Sequence, residues 1–341
     1  MTNLSVLDCL RRTRLIDDGQ FPIGGYLELE LPDKRQFPYP DSARFQSGRA
    51  AFLALVRSGK PDRVWMPRYI CGAMLSPLES ANIECVWYNI NEHLAVENST
   101  SIGPNDWLLY VNYFGVCDSN VEELLKRFPP GQVVLDYSQS FFASPADGAL
   151  ATIYSPRKFF GIPDGGLLIS HVPVERPETC DTDSFGRISH LMRRLGDSPE
   201  AGYAAYQEAE DSLANCEPKR MSHLTQSMLS SIDLDNVSRK RKQNFLFLHE
   251  RLKEYNQLSV DASNITAPLC YPFLPVDGDL LRQRLIEKRI FVASYWPDAL
   301  ARVSNEWAEH LAKMLLPLPI DQRYGKKEME RVVSVLLREN A

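Results

Sequence analysis

The chain has 341 residues, of which 44% are hydrophobic and 24% charged, and its net charge at pH 7 is −6. This composition is that of an ordinary globular protein, and the length suits two domains that share an interface. The acidic balance argues against nucleic-acid binding. Seven scattered cysteines without C-x-x-C spacing predict reduced thiols in the cytoplasm rather than disulfides or a zinc site. We find no signal peptide and no apolar run of membrane-spanning length, so no membrane association is expected.

Residues 1–40 form a predicted N-terminal arm. The stretch FPIGGYLELELPD alternates in polarity and breaks at Pro32, and the following RQFPYPDSARF is rich in proline and aromatic residues. Such a segment can line a cleft, cross to a partner subunit or strap the surface of its own chain. We expect a large domain over residues 41–250 and a small C-terminal α+β domain over residues 251–341.

The stretch ARFQSGRAAFLALVRSG reads as a loop followed by a helix that starts near Ser47 and Gly48. Backbone N–H groups at such a helix N-terminus can hold a phosphate dianion. A Ser-Gly pair before a helix is also an ordinary N-cap, and both interpretations stay open at this point.

Strand and helix patterns then alternate along the chain. The strand patterns are VWMP, ECVWYNI, WLLYVNYFG and VVLDY, and the helical pattern CDSNVEELLKRF has Asp118 or Ser119 as its expected cap. This alternation predicts right-handed βαβ units and a mainly parallel sheet. Ligands of such sheets bind at the carboxyl ends of the strands, where Asp136 and the VNYFG loop lie.

The remainder of the chain continues with the strand LLISHV and a helical segment that ends near residue 214. A long amphipathic helix is predicted to end near Tyr255, and its run Arg239-Lys-Arg-Lys242 reads as a solvated face. In the C-terminal unit, APLCYPFLP and FVASYWP read as strands, and DLLRQRLIEKR and KKEMERVVSVLLREN read as helices.

The stretch from Val133 to Gly166 carries the strongest chemical signal. Asp136 ends an apolar strand, Gln139 follows it, and Lys158 stands about twenty residues further on among aromatic residues and glycines. Pyridoxal 5′-phosphate (PLP) needs an amine that bonds to its aldehyde and an anion that keeps its ring nitrogen protonated. Lys158 and Asp136 are therefore our candidates, with Gln139 facing the ring oxygen. The plainer alternatives are a solvated loop lysine and a helix-capping aspartate.

Other parts of such a site can be assigned from the same stretches. The cation of Arg157 would favour a neutral amine on Lys158. The ring needs an aromatic neighbour, and Tyr69 and Tyr113 are the candidates, although each taken singly is as readily a core residue. The phosphate group needs donors, and those available are Ser47, Gly48, Arg49 and Ser155.

Competing chemistries are poorly served by the sequence. It contains no G-x-G-x-x-G, G-x-x-x-x-G-K-[ST], H-E-x-x-H or G-x-S-x-G motif, and its six histidines have no metal-ligand spacing. The segments Asp147-Gly148 and Asp164-Gly165-Gly166 are predicted to form turns. We therefore expect no metal site.

The order SGRAAF, MPRYICGAML, VNYFG, LDYSQSF, SPRKFFGIPDGG and KRMSHLTQ resembles the DegT-like sugar-nucleotide aminotransferases. The resemblance covers about residues 40–260 and extends more weakly through EKRIFVASYWP and LLPLPIDQRYG. It implies the fold of the type I PLP-dependent enzymes, an α/β fold with a mainly parallel, seven-stranded sheet in the large domain. It also implies a homodimer with the active site shared between subunits.

The resemblance assigns roles to five positions. Asp136 would pair with the pyridine nitrogen, Gln139 would contact the ring oxygen, and Lys158 would bond to the cofactor. Ser47-Gly48 and Ser155 would hold the phosphate, and the segment matching residues 218–222 would reach over from the neighbouring subunit.

The sequence departs from the family pattern in several places. Arg49 stands where a threonine is usual, Ser155 precedes the lysine by three positions instead of five, and Pro218-Lys219 replaces an asparagine. Lys219 or Arg220 would then contact the phosphate of the partner subunit. Tyr69 substitutes for an aromatic residue expected near Cys71.

The leading hypothesis is a PLP-dependent aminotransferase of polysaccharide biosynthesis that moves an amino group from glutamate or a similar donor to a keto sugar nucleotide. One alternative is a PLP-dependent dehydratase or lyase acting on an amino-acid-like substrate. Another is a non-catalytic PLP-binding scaffold.

Overall fold

The structure is a computed structural model that describes residues 24–33, 35–214 and 217–337. Most of the expected N-terminal arm therefore lies outside the described residues. Of its described residues, 24–33 are exposed and form no strand. The root of this segment is held, because Phe37 is buried and Tyr39 donates hydrogen bonds to the carbonyls of Phe141 and Ala143.

Seven strands form one sheet in the order β1-β7-β6-β5-β4-β2-β3. The strands β2 to β6 pair in parallel, and β7 pairs antiparallel with both β6 and β1. The mainly parallel seven-stranded sheet is thus confirmed. The strands are β1 (Ala43–Phe45), β2 (Arg63–Pro67), β3 (Glu84–Tyr88), β4 (Trp107–Val111), β5 (Val133–Asp136), β6 (Ala151–Tyr154) and β7 (Gly166–Ser170).

The central strands are buried on both faces, as expected for a parallel sheet covered by helices. Several helices begin at a polar side chain that caps them, among them Ser47 and Asp233. The helices are α1 (Gly48–Gly59), α2 (Ser76–Ala81), α3 (Asp118–Arg127), α4 (Ser184–Arg187), α5 (Ser189–Gly196), α6 (Pro199–Asp211), α7 (His223–Ser230), α8 (Leu234–Leu252), α9 (Gly278–Glu287), α10 (Glu306–Met314) and α11 (Lys326–Leu337).

The C-terminal part has its own two-stranded antiparallel sheet, formed by β8 (Cys270–Phe273) and β9 (Leu316–Pro319). A second hydrophobic cluster packs around it and includes Phe245 and Leu248 of α8. This cluster thus begins within the long helix. The division at residues 250 and 251 stays a prediction.

Four local predictions are wrong. The helix predicted to end near Tyr255 is two helices, because α7 ends at Ser230 and Asp233 caps the start of α8. FVASYWP forms no strand, and its Trp296 has a left-handed φ of 53°. Asp118 and Ser119 do not cap α3; Asp118 instead accepts a hydrogen bond from Asn112. Arg241 is buried, so the basic run on α8 is not a wholly solvated face.

Candidate functional site

Asp136 ends β5 in the middle of the sheet, where it pairs in register with Val111 of β4 and Ile153 of β6. Its side chain is only 4% exposed, and its Oδ1 accepts a hydrogen bond from the Ser138 N–H at 2.8 Å. No lysine or arginine of the described residues forms an ion pair with it. A buried carboxylate without a cation is costly, and a protonated ring nitrogen would remove that cost.

Gln139 is fully buried three residues further along. Its Oε1 accepts a hydrogen bond from the Phe114 N–H at 2.6 Å. Its Nε2 is a buried donor with no partner in the described part of the chain. Buried donors are nearly always satisfied, so this atom is suited to an acceptor oxygen from a ligand.

The N-terminus of α1 lies against the ends of β5 and β6. Ser47 caps the helix, and its Oγ accepts from the Ala50 N–H at 3.1 Å. A methyl group added to Gly48 would lie 3.8 Å from both Ser138 Oγ and Ser155 Cβ. Two serines thus stand beside a helix N-terminus, an arrangement that can hold a phosphate group.

Ser138 was not identified from the sequence, although its position two residues after Asp136 at a strand end was a usable signal. Arg49 is half-buried in the first turn of α1 and lines a small cleft with Ser76, Ser80 and Glu217. Its assignment as a phosphate contact stays a prediction.

Lys158 ends a single 3₁₀ turn, Pro156–Lys158, which follows β6. Its side chain is exposed and makes no hydrogen bond or ion pair with the described part of the chain. The next two residues, Phe159 and Phe160, are buried against Phe141, with ring centres 5.7 and 5.0 Å away. The amine is therefore available on a turn that buried aromatic rings hold in place.

Arg157 does not act as the expected free cation beside that amine. Its guanidinium forms an ion pair with Glu210 of α6, which offsets its charge. The suggested influence of Arg157 on the lysine loses its basis in this arrangement.

Tyr69 and Tyr113 stack on each other with ring centres 5.8 Å apart, and the Tyr113 hydroxyl donates to the Tyr69 carbonyl at 2.8 Å. Trp296 packs against Tyr69 at 4.9 Å. The two tyrosines are 1% and 0% exposed, and burial raises the pKa of both phenols. Both rings are covered by other side chains, so neither has a face open to a cofactor in this arrangement.

Arg220 lies beside the N-terminus of α1 of the same chain. Its backbone bridges to Phe45, and the neighbouring Lys219 bonds to Gln46 through both backbone groups. The Arg220 Nη2 donates to the Glu178 carbonyl at 3.0 Å, whereas its Nε is buried without a partner in the described residues. A contact of Arg220 with the partner's phosphate stays a prediction.

Asp164 is more than a turn residue. Its fully buried carboxylate accepts from the Ser222 N–H at 2.7 Å, from the Ser222 hydroxyl at 2.8 Å and from the Thr225 hydroxyl. Burial raises the pKa of Asp164 to about 6. The network fastens the loop that follows Lys158 to the start of α7.

No helix of the described residues is long and apolar enough to cross a membrane. In the same part of the chain, no group of histidine, cysteine and acidic side chains is arranged to hold a metal ion.

No protein-family model matches the sequence, and no curated protein matches it. Solved structures do match. The sugar aminotransferase CalS13 from Micromonospora echinospora has a TM-score of 0.60 at 16% identity, over 87% of both chains. DesV from S. venezuelae, in complex with a ketimine intermediate, has a TM-score of 0.62 at 18% identity, over 88% of this chain and 85% of that one.

NtdA from Bacillus subtilis, with bound cofactor PMP, matches with a TM-score of 0.61 at 17% identity, over 86% of this chain and 72% of that one. These similarities show the fold: the chain has the architecture of the sugar aminotransferases. The expected fold class is confirmed.

Proposed function

We propose that the protein binds PLP at the carboxyl ends of β5 and β6. Asp136 would hold the proton on the ring nitrogen, and the Gln139 amide would donate to the ring oxygen. The helix N-terminus at Ser47 and Gly48, with Ser138 and Ser155, would bind the phosphate group. The single observation that carries the proposal is the buried Asp136 with no cation among the described residues.

PLP, when bound, stabilises negative charge on the carbon that carries the transferred amino group. Lys158 would supply the amine that holds the cofactor, and the same amine would move a proton at that carbon as general acid and base. Its exposure in the single chain leaves room for substrate beside it. Asp136 keeps its charge out of water, where its interaction with the ring nitrogen is strongest.

The activity we propose is an aminotransferase, with glutamate or a similar compound as donor and a keto sugar nucleotide as acceptor. The similarity in fold to several sugar aminotransferases supports this choice. We further propose a cytoplasmic homodimer whose two subunits share each active site, which cell fractionation and sedimentation would test.

Lys158 should be the residue to which PLP becomes attached. Purified protein mixed with PLP should gain a visible absorption band, and borohydride reduction should fix the mass of the cofactor on the peptide that contains Lys158. Lys158→Ala should abolish both signals, because the attaching amine is gone. Lys126→Ala removes an exposed lysine of α3 and should retain both. A wild-type protein that takes up no PLP would contradict the proposal.

Glutamate separates the proposed activity from its alternatives. A transaminase should convert its bound cofactor to the pyridoxamine form and release 2-oxoglutarate in a half-reaction without any acceptor. A dehydratase or lyase should bind PLP yet leave glutamate unchanged. A panel of nucleotide keto sugars then identifies the acceptor.

A further inference from the structure

Arg241 is the largest fully buried polar side chain of the described residues. In the sequence it stands within the basic run Arg239-Lys-Arg-Lys242, which was predicted to be solvated. It is 2% exposed on the inner face of α8, and burial lowers the pKa of its guanidinium to about 10. It forms no ion pair with the described residues. Its Nη1 donates to the carbonyls of Pro268 and Leu269, at 3.2 and 3.1 Å.

The same guanidinium contacts the residue that follows Lys158. Its carbon lies 4.6 Å from the centre of the Phe159 ring, and its Nη2 donates to the Phe159 carbonyl at 3.4 Å. Gln322 completes the contact: its Nε2 donates to the same carbonyl at 2.9 Å, and its Oε1 accepts from Arg241 Nε at 3.0 Å. Two side chains from distant parts of the chain therefore hold one carbonyl of the lysine turn.

A second set of bonds continues from Arg241 to Gln139. The Leu269 N–H donates to the Phe114 carbonyl at 2.8 Å, and the Phe114 N–H donates to Gln139 Oε1 at 2.6 Å. Phe114 has a left-handed φ of 60°, so these bonds hold a conformation that is costly for a bulky residue. The buried arginine thus connects the lysine turn with the amide proposed to face the ring oxygen.

We propose that Arg241 and Gln322 are positioning residues for Lys158, which they place by fixing the carbonyl of Phe159. Such fixing is what a reacting amine requires, since small displacements of a catalytic group are costly in rate. The consequence for catalysis rests on the proposed function. The placement of the turn does not.

Hydrogen exchange on the cofactor-free protein tests the placement. The N–H groups of Lys158, Phe159 and Phe160 bond to carbonyls of Ser155 and Pro156 within the turn. In Arg241→Met and Gln322→Leu, exchange of a peptide over residues 156–162 should quicken at least tenfold. A peptide from β5 should be unchanged. Arg239→Met, on the exposed face of the same helix, is the matched control.

A second readout uses the PLP-loaded protein. Arg241→Met removes the positive charge beside the Phe159 carbonyl, next in sequence to Lys158, so the pH midpoint of the change in visible absorption should rise by roughly half a pH unit or more. Arg241→Lys keeps the charge and should keep the midpoint. It should still lose exchange protection, because an ammonium group cannot span the carbonyls that the guanidinium joins.

The outcomes separate the two proposals. Unchanged exchange over residues 156–162 in folded Arg241→Met and Gln322→Leu would overturn the positioning role, whatever the protein binds. Faster exchange in a protein that takes up no PLP would keep the positioning role and remove the proposed function. If Arg241→Met fails to fold, hydrogen exchange in Gln322→Leu tests the positioning role alone, since Gln322 is only half-buried.

Discussion

Asp164 shows how one carboxylate can make stability depend on pH. Its folded-state pKa of about 6 lies above the value near 3.9 of an unfolded aspartate. The folded protein therefore holds this proton more tightly, and its stabilising effect is present below about pH 4 and is lost as the pH rises through about 6. The separation of about two pKa units corresponds to about 3 kcal/mol.

This sign gives a prediction for Asp164→Asn. The free energy of unfolding of the wild type, relative to the variant, should fall by about 2–3 kcal/mol between pH 4 and pH 7, because the amide does not titrate. Urea denaturation at a series of pH values measures the difference. Asp147→Asn, in an exposed turn, is the control for the chemical change itself. A flat difference for Asp164→Asn would show that its folded pKa is ordinary.

Strand β7 and the turn before α1 approach each other closely. A methyl group on Gly166 would lie 2.2 Å from the carbonyl carbon and oxygen of Ser47 and 2.6 Å from the Gly48 nitrogen. No backbone contact of that length is tolerated, so a side chain here must push the Ser47 turn away from the strand. The proposed phosphate site at Ser47 and Gly48 therefore depends on Gly166, which lies outside it.

Gly166→Ala should accordingly destabilise the protein by about 1–3 kcal/mol. It should also weaken PLP retention, because it displaces the Ser47 turn. Gly161→Ala, in the loop that precedes β7, is the control, since its methyl group would lie 3.5 Å from Leu191, an ordinary contact. Thermal melting and dialysis of the PLP-loaded proteins measure both effects. Equal melting temperatures for the two variants would count against the close approach.

The sequence predicted elements whose signal is local and periodic. The strand VVLDY, the helix after Ser47 and the parallel sheet all depend on runs of apolar residues, and each was confirmed. FVASYWP has the composition of a strand, yet Trp296 adopts a left-handed conformation where it packs on Tyr69. Tertiary packing outweighs strand propensity there, and no local pattern records that packing.

The prediction that the run containing Arg241 is a solvated face was wrong for a different reason. It stands four residues after Val237 and four before Phe245, both of which are buried on the same face of α8. The period therefore placed it on the apolar stripe, but the flanking charges concealed it. Its partners, Pro268, Leu269 and Gln322, are distant in sequence, so the contacts that satisfy it could not be read from the chain.

At the scale of the whole molecule, a single chain leaves the proposed site open. Lys158 is exposed, and the helices beside it carry exposed apolar side chains, among them Phe185, Leu195 and Tyr203 at 71%, 82% and 59% exposure. Exposed apolar residues gathered on neighbouring helices are typical of interaction surfaces. Both observations fit the proposed homodimer, in which a second subunit would cover this side of the site.

Mixing two inactive variants tests whether the subunits share their sites. Lys158→Ala lacks the amine, and Arg220→Ala lacks the proposed contact with the partner's phosphate. In a symmetric dimer with shared sites, random reassortment should restore about a quarter of wild-type activity, since half of the dimers are mixed and each holds one intact site. Arg220 also lies beside the Ser47 turn of its own chain, so it could equally serve that chain. In that case mixed dimers should stay inactive, because every site would lack either the amine or the guanidinium. Sedimentation of each variant as a dimer is the control that gives an inactive mixture this meaning.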